Sequence, residues 1–178
     1  MVPSVLVILA EGFEEIEAIT PIDLLRRSGA KVTVAALGGL TVHGAHGIGV
    51  VCDKLLSDCT EEYDALVLPG GGEGSENLAS SFEVLELAVK TSHKGVVAAI
   101  CAAPAVVLGK TGLLDGRRVT GFPGSEFEGL VLEGEKVITD GPIITAQAAG
   151  SAVDFSLAII AKIFDAETAK KIGKQIYY

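Results

Sequence analysis

One thiol in this chain stands where a cysteine can be made into a nucleophile. The segment Gly95 to Ile100 (GVVAAI) is short, apolar and rich in β-branched residues, and it reads as a central strand. Cys101 follows it, and Ala102 to Leu108 reads as a helix with Pro104 in its first turn, where proline is tolerated. Small residues flank the thiol: Ala98, Ala99, Ala102 and Ala103. A backbone that doubles back from strand to helix needs such neighbours, which is the logic of the nucleophile elbow, although alanines stand here in place of the usual glycines. The first N–H groups of a helix and its positive dipole end face a residue in this position. They favour a thiolate, so the pKa of Cys101 is expected below the free value of about 8.5. The competing reading is an inert buried cysteine, a common fate for a free thiol. Cys52 and Cys59 have no comparable setting.

Two other segments offer partners. Glu14, Glu15 and Glu17 open the first helical stretch. Acids there complement the helix dipole and need no further role. A carboxyl such as Glu17, brought near Cys101 in an apolar site, would tend to be protonated, and could then donate to sulfur or move protons. Pro69-Gly70-Gly71-Gly72-Glu73-Gly74 follows another buried strand. It lacks the GK[ST] of a phosphate loop, and Ser75 occupies the last glycine position of GxGxxG. Its backbone N–H groups suit a developing oxyanion; the alternative is a plain turn.

The elements that must position these groups alternate strand and helix. Ser4–Ala10 is a strand buried on both faces, Glu14–Arg27 a helix with a kink or break expected near Pro21, and Lys31–Ala36 the next strand, a βαβ unit. Leu37 to Asp53 is glycine-rich, with a β-hairpin expected around VHGAHGIGVV. Asp64–Leu68, Arg117–Thr120, Lys136–Thr139 and Ile143–Ala146 read as further strands; Phe82–Ser92, Gly150–Phe164 and Ala166–Gln175 read as helices. The pattern predicts one α/β domain over residues 1–178, a doubly wound, mostly parallel sheet with helices on both faces, whose sites lie beyond the carboxyl ends of the strands.

Composition excludes several classes. With 49% hydrophobic and 21% charged residues the chain is no disordered tail. A net charge of −9 and the lack of a basic stripe argue against direct nucleic-acid binding. No apolar run reaches membrane-spanning length, and the apolar start MVPSVLVILA has no basic region before it, so neither a membrane anchor nor a secretory leader is expected. Three cysteines without framework spacing suit a reducing cytoplasm. No CxxC or HExxH spacing suggests a metal, and no cofactor is called for.

Four motifs in order resemble a known family: LVILAEGFEEIEA at Leu6–Ala18, VLPGG at Val67–Gly71, AAICAAP at Ala98–Pro104 and VTGFP at Val119–Pro123. Together they are similar to the ThiJ/PfpI superfamily, and within it to the DJ-one group, nearest its bacterial-type members. The resemblance runs from Val5 to about Ala161. It implies a flavodoxin-like fold and a homodimer. It implies a cofactor-independent deglycase or glyoxalase acting on small α-oxoaldehydes, or on glycated protein or nucleotide adducts; members of the group are also described as oxidative-stress sensors and chaperones. Carried over, Cys101 matches the reactive cysteine and Glu17 the carboxyl that contacts it. Gly71 and Ala102 match the positions whose N–H groups make the anion site, and Gly70, Phe122, Pro123 and His46 are expected to line the pocket. Some positions depart from the pattern. Phe122 stands where many members have a histidine, and Gln147 and His46 stand where arginines are usual. A cysteine peptidase or amidotransferase-like hydrolase would want a histidine after the nucleophile, where this chain has Ala102.

Overall fold

Strands apolar on both sides can be hidden only between two layers of helices. The computed structural model, which describes residues 1–126 and 129–178, has this arrangement. In chain order its main elements are β1 (Ser4–Leu9), α1 (Glu15–Arg27), β2 (Lys31–Ala36), β3 (Thr41–His43), β4 (Gly49–Val51), β5 (Lys54–Leu55), β6 (Ala65–Leu68), α2 (Gly72–Ala79), α3 (Phe82–Ser92), β7 (Val96–Ile100), α4 (Ala103–Val106), β8 (Val137–Asp140), β9 (Ile143–Ala146), α5 (Ala152–Ile163) and α6 (Ala166–Gln175). Among the described residues seven strands form one sheet in the order β5-β2-β1-β6-β7-β9-β8. All neighbours are parallel except the edge strand β8, which runs against β9. This is the doubly wound, flavodoxin-like α/β fold.

The period-two alternation of a strand sorts the core into two halves. Val5, Val7 and Leu9 point to one face with Leu25, Phe155 and Ile159; Leu6 and Ile8 point to the other with Val84, Ala88 and Leu108. From β1 the chain first moves out to β2 and then returns to place β6 on the opposite side of β1. The loops leaving β1 and β6 therefore part at a topological switch point, where a crevice opens at the carboxyl ends of the strands. The turn after β7 lies beside them. Topology alone thus brings Glu11–Glu15, Pro69–Gly71 and Cys101 to one rim.

Four local expectations need correction. Arg117–Thr120 is not a strand: the Arg118 N–H is taken by Asp140 Oδ2 at 2.9 Å and the Thr120 N–H by Thr145 Oγ1 at 2.9 Å, so side chains use the donors a ladder would need. Of the kink or break allowed for near Pro21, the break does not occur: α1 is continuous, and the proline leaves the Glu17 carbonyl without its intrahelical donor. The helix after Cys101 is a single turn, continued by a 3₁₀ turn at Leu108–Lys110. The glycine turn read over Pro69–Gly74 ends at Gly71: helix α2 starts at Gly72, because Ser75, Leu78 and Ala79 bury a face despite two glycines. The hairpin of β3 and β4, by contrast, forms where the glycine-rich segment places it. Among the described residues no helix is long and apolar enough to cross a membrane.

Candidate active site

Cys101 has φ = +64°, one of the few non-glycine residues here in the left-handed region. Such a conformation costs on the order of 1–3 kcal/mol and persists only where its surroundings over-determine it. They do: the Cys101 N–H donates to the Ala146 carbonyl at 2.9 Å, and the Cys101 carbonyl accepts the Phe122 N–H at 2.8 Å. The thiol is thereby turned out of the sheet and into the crevice.

Three groups meet its sulfur. The backbone N–H groups of Gly71 and Ala102 donate to it, and the Glu17 side chain bonds to it. Glu17 is 1% exposed, and its Oε2 accepts the Gly70 N–H at 2.9 Å. Two glycines make the approach possible. A side chain at Gly70 would overlap Glu17 Oε2 and stand 2.6 Å from Cys101 Cβ. Gly71 has φ = +90°, and its place against the Gly12–Glu14 backbone leaves no room for a Cβ. The structure therefore brings together Cys101, Glu17, Gly70, Gly71 and Ala102.

The electrostatics reverse one expectation. Burial pushes the Cys101 thiol up to about 12, with the charge and hydrogen bond of Glu17 adding to the rise; the two N–H donors only partly offset this. A one-turn helix has too few aligned peptides to supply the dipole expected of it. Burial likewise raises Glu17 to about 7, against the hydrogen bonds from Cys101 and Gly70 and with help from the charge of Glu14. Two acids in contact titrate as one unit. Losing the first proton near pH 7 leaves a monoanion whose charge rests mainly on Glu17, with sulfur carrying it in the minor form. Beside an ionised Glu17 a thiolate is strongly disfavoured; beside a protonated Glu17 it loses a repulsive charge and gains a donor. Sulfur carries the charge only in that second arrangement.

The other predicted pocket residues lie further out. Phe122 and Pro123 are exposed on the loop that pins the Cys101 carbonyl. His46 does not reach Cys101. Its ring Nδ1 lies 2.8 Å from Glu15 Oε2 and 3.6 Å from Glu14 Oε1, and its backbone N–H donates to Glu15 Oε1 at 2.7 Å. Burial works against a charge on Glu15, yet hydrogen bonds from the His46 ring and the nearby backbone hold it down to about 2. The same contact raises the pKa of His46. This Glu14–Glu15–His46 group escaped the sequence reading because His46 stands thirty-one residues beyond Glu15; the residue was expected in the pocket, but nothing in the chain paired it with these carboxylates. A cleft of about 640 Å³ at the amino ends of the strands, lined by Asp64, His93, Lys94 and Lys162 among others, holds neither a thiol nor a carboxylate pair.

Comparison with known proteins bears on the whole chain. The profile of the DJ-1/PfpI family matches residues 3–162. Protein DJ-1 homolog A of Arabidopsis thaliana is 39% identical over an alignment of 178 positions that covers 96% of this chain and 45% of that protein, so the chain spans under half the length of this relative. A Pyrococcus abyssi protein named as a deglycase is 33% identical over 152 residues, covering 82% of this chain and 90% of its own. Among solved structures, oxidized DJ-1 of Toxoplasma gondii superposes with a TM-score of 0.94 at 36% identity, over 99% of this chain and 98% of that one.

Proposed function

Because the chain belongs to the DJ-1/PfpI family, and because its family-matched cysteine lies against a buried carboxyl raised to about 7, we propose that it is a cofactor-independent deglycase or glyoxalase acting on methylglyoxal, glyoxal or their early adducts. The observation that carries this reading is the packing of Glu17 and Cys101 around Gly70, whose N–H donates to Glu17 Oε2 and whose missing Cβ leaves room for both side chains, so that each shifts the other's titration. A similar Pyrococcus abyssi protein bears the name deglycase, which supports the same class.

The sulfur anion, with Glu17 protonated, adds to the aldehyde carbon; the C–O π pair moves onto oxygen, and the Gly71 and Ala102 N–H groups are placed to hold that oxyanion. A proton from Glu17 completes a hemithioacetal. Glu17, now a base, removes the hydrogen on that carbon and returns it to the neighbouring carbonyl carbon, while the carbonyl oxygen gains the hydroxyl proton. One carbon is thereby oxidised to a thioester and the other reduced to a carbinol, with no external electron acceptor. Water then cleaves the thioester, releasing a 2-hydroxy acid and the thiol. For methylglyoxal the sum is addition of one water to give lactate. Measuring lactate from methylglyoxal with the wild type and Cys101→Ser tests the assignment, and undiminished turnover in the variant defeats it.

A second reading has its own support. The Toxoplasma gondii relative is described as oxidized, and Cys101 is only partly buried, so peroxide can reach it. Oxidation of the thiolate to a sulfinate would make the protein a redox sensor or redox-controlled chaperone. A stable gain of two oxygens on Cys101 under mild peroxide, without aldehyde turnover, would favour this.

We further propose that the chain acts in the cytoplasm as one domain that pairs with a second copy. Ile16 and Ile19 of α1 and Ile48 and Val51 of the hairpin are large apolar residues left exposed, and Ile19 and Val51 border the same depression. Light scattering during gel filtration checks the stoichiometry; a monomer at micromolar concentration would refute it.

A further inference from the structure

We propose that Glu14, Glu15 and His46 form a binding site for a borderline divalent cation of the zinc and nickel class. The site uses none of the groups assigned to the thiol chemistry, although Glu14 acts on Glu17 through its charge, and it does not depend on the deglycase reading.

The three donors come from two elements locked together by main chain. The Gly12 N–H donates to the His43 carbonyl at 2.8 Å and the Ala45 N–H to the Phe13 carbonyl at 2.8 Å, which fixes the hairpin tip against the start of α1. Glu15 Oε1 accepts the His46 N–H at 2.7 Å and the Ile48 N–H at 3.4 Å, and this orients the carboxylate. Its other oxygen and Glu14 Oε1 then face His46 Nδ1 at 2.8 and 3.6 Å, and one ligand atom from each residue lies within 4.8 Å of the others. A tetrahedral cation with bonds of about 2.1 Å wants its donors about 3.4 Å apart. The two measured separations bracket that value.

The donor chemistry selects the class. One imidazole nitrogen with carboxylate oxygens suits zinc or nickel; magnesium and calcium prefer all-oxygen shells, and copper(I) prefers sulfur. Charge favours occupancy as well. Two carboxylates face one imidazole, and the His46 and Ile48 N–H groups hold Glu15 Oε1 in place so that Oε2 and Glu14 Oε1 are left to meet a cation. The dipole of α1 opposes a cation at its N-terminus by no more than about 1 kcal/mol at an exposed end, little beside two formal negative charges. The His46 side chain is 69% exposed, so solvent can reach the remaining coordination positions. Zinc with three protein ligands and open positions is the pattern of an accessible site rather than a sealed structural one.

The experiment is calorimetric titration of zinc chloride into the untagged full chain, with millimolar magnesium as competitor, repeated with cobalt(II) followed by absorbance. The expected result is one zinc per chain, insensitive to magnesium and unchanged in Cys101→Ser and in His43→Ala. Affinity should fall about ten- to hundredfold in Glu14→Gln and further in His46→Ala. Both of these variants alter side chains that are not fully buried, and circular dichroism verifies that they stay folded. Cobalt should bind without a sulfur-to-metal charge-transfer band. No saturable uptake, uptake that survives both ligand variants, or uptake lost in Cys101→Ser would each overturn the assignment.

Discussion

Glu15 and Glu17 sit two residues apart in the first turn of one helix, and both are buried, yet their protons behave in opposite ways. Glu15 is held down to about 2 and Glu17 is raised to about 7. Burial opposes the charge on both, so burial does not distinguish them. The difference lies in the donors each helix face meets. Glu15 faces the hairpin and receives the His46 ring together with the N–H groups of His46 and Ile48. Glu17 faces the crevice and receives the Gly70 N–H, a thiol that is itself an acid, and the repulsion of Glu14. A carboxylate with enough donors is a structural anchor; one that is starved of them becomes a proton reservoir.

The contrast can be broken most forcefully at the sulfur. Cys101→Ser should reduce lactate formation from methylglyoxal by at least about a thousandfold, since the proposed mechanism forms its covalent bond at that sulfur. Next in size is Glu17→Gln, expected to lower kcat about a hundredfold and to erase the inflection near pH 7 from the rate profile. The same variant should show an effect on stability. The folded pKa of Glu17 lies above its ordinary 4.5, so its favourable contribution is complete below that value and is lost as pH rises through about 7. The stability of Glu17→Gln relative to wild type should therefore climb by about 3 kcal/mol across that window, as read by urea melts.

Glu15→Gln sharpens the comparison from the other side. Its folded pKa lies below 4.5, so its contribution is present above that pH and fades as pH falls towards 2. The variant should lose about 2 kcal/mol at neutral pH, the scale of hydrogen bonds to a charged group, and the deficit should shrink on acidification in chelator-treated buffer. The smallest effect belongs to the neighbouring pair His43–Glu11. Its side chains are 59% and 53% exposed at 3.5 Å, and His43→Ala should change stability by at most about 0.5 kcal/mol.

Much of this was legible in the chain because it is local. The run VVAAICAAP states both a buried strand and the tight turn after it, and the left-handed Cys101 is the physical form of that turn. Strand β1, helix α3 and helix α6 likewise follow from patterns within their own residues. What escaped depends on distant partners. Arg117–Thr120 has the composition of a strand, but Asp140 and Thr145 intercept its donors. The thiol's high pKa could not be read from the elbow, because the helix behind it stops after one turn and the opposing charge comes from eighty-four positions earlier. The two roles of Glu15 and Glu17 were hidden for the same reason: their types are identical, and only the hairpin and the glycine turn tell them apart.

The control of the sulfur by Glu17 is tested most directly by the alkylation rate of Cys101 against pH, followed at its own peptide by mass spectrometry, in wild type and Glu17→Gln. A thiol raised by burial and by the neighbouring carboxylate predicts a wild-type rate that stays low through neutrality and a climb displaced to lower pH in the variant, which lacks the opposing charge. Superimposable profiles in the two proteins would contradict it.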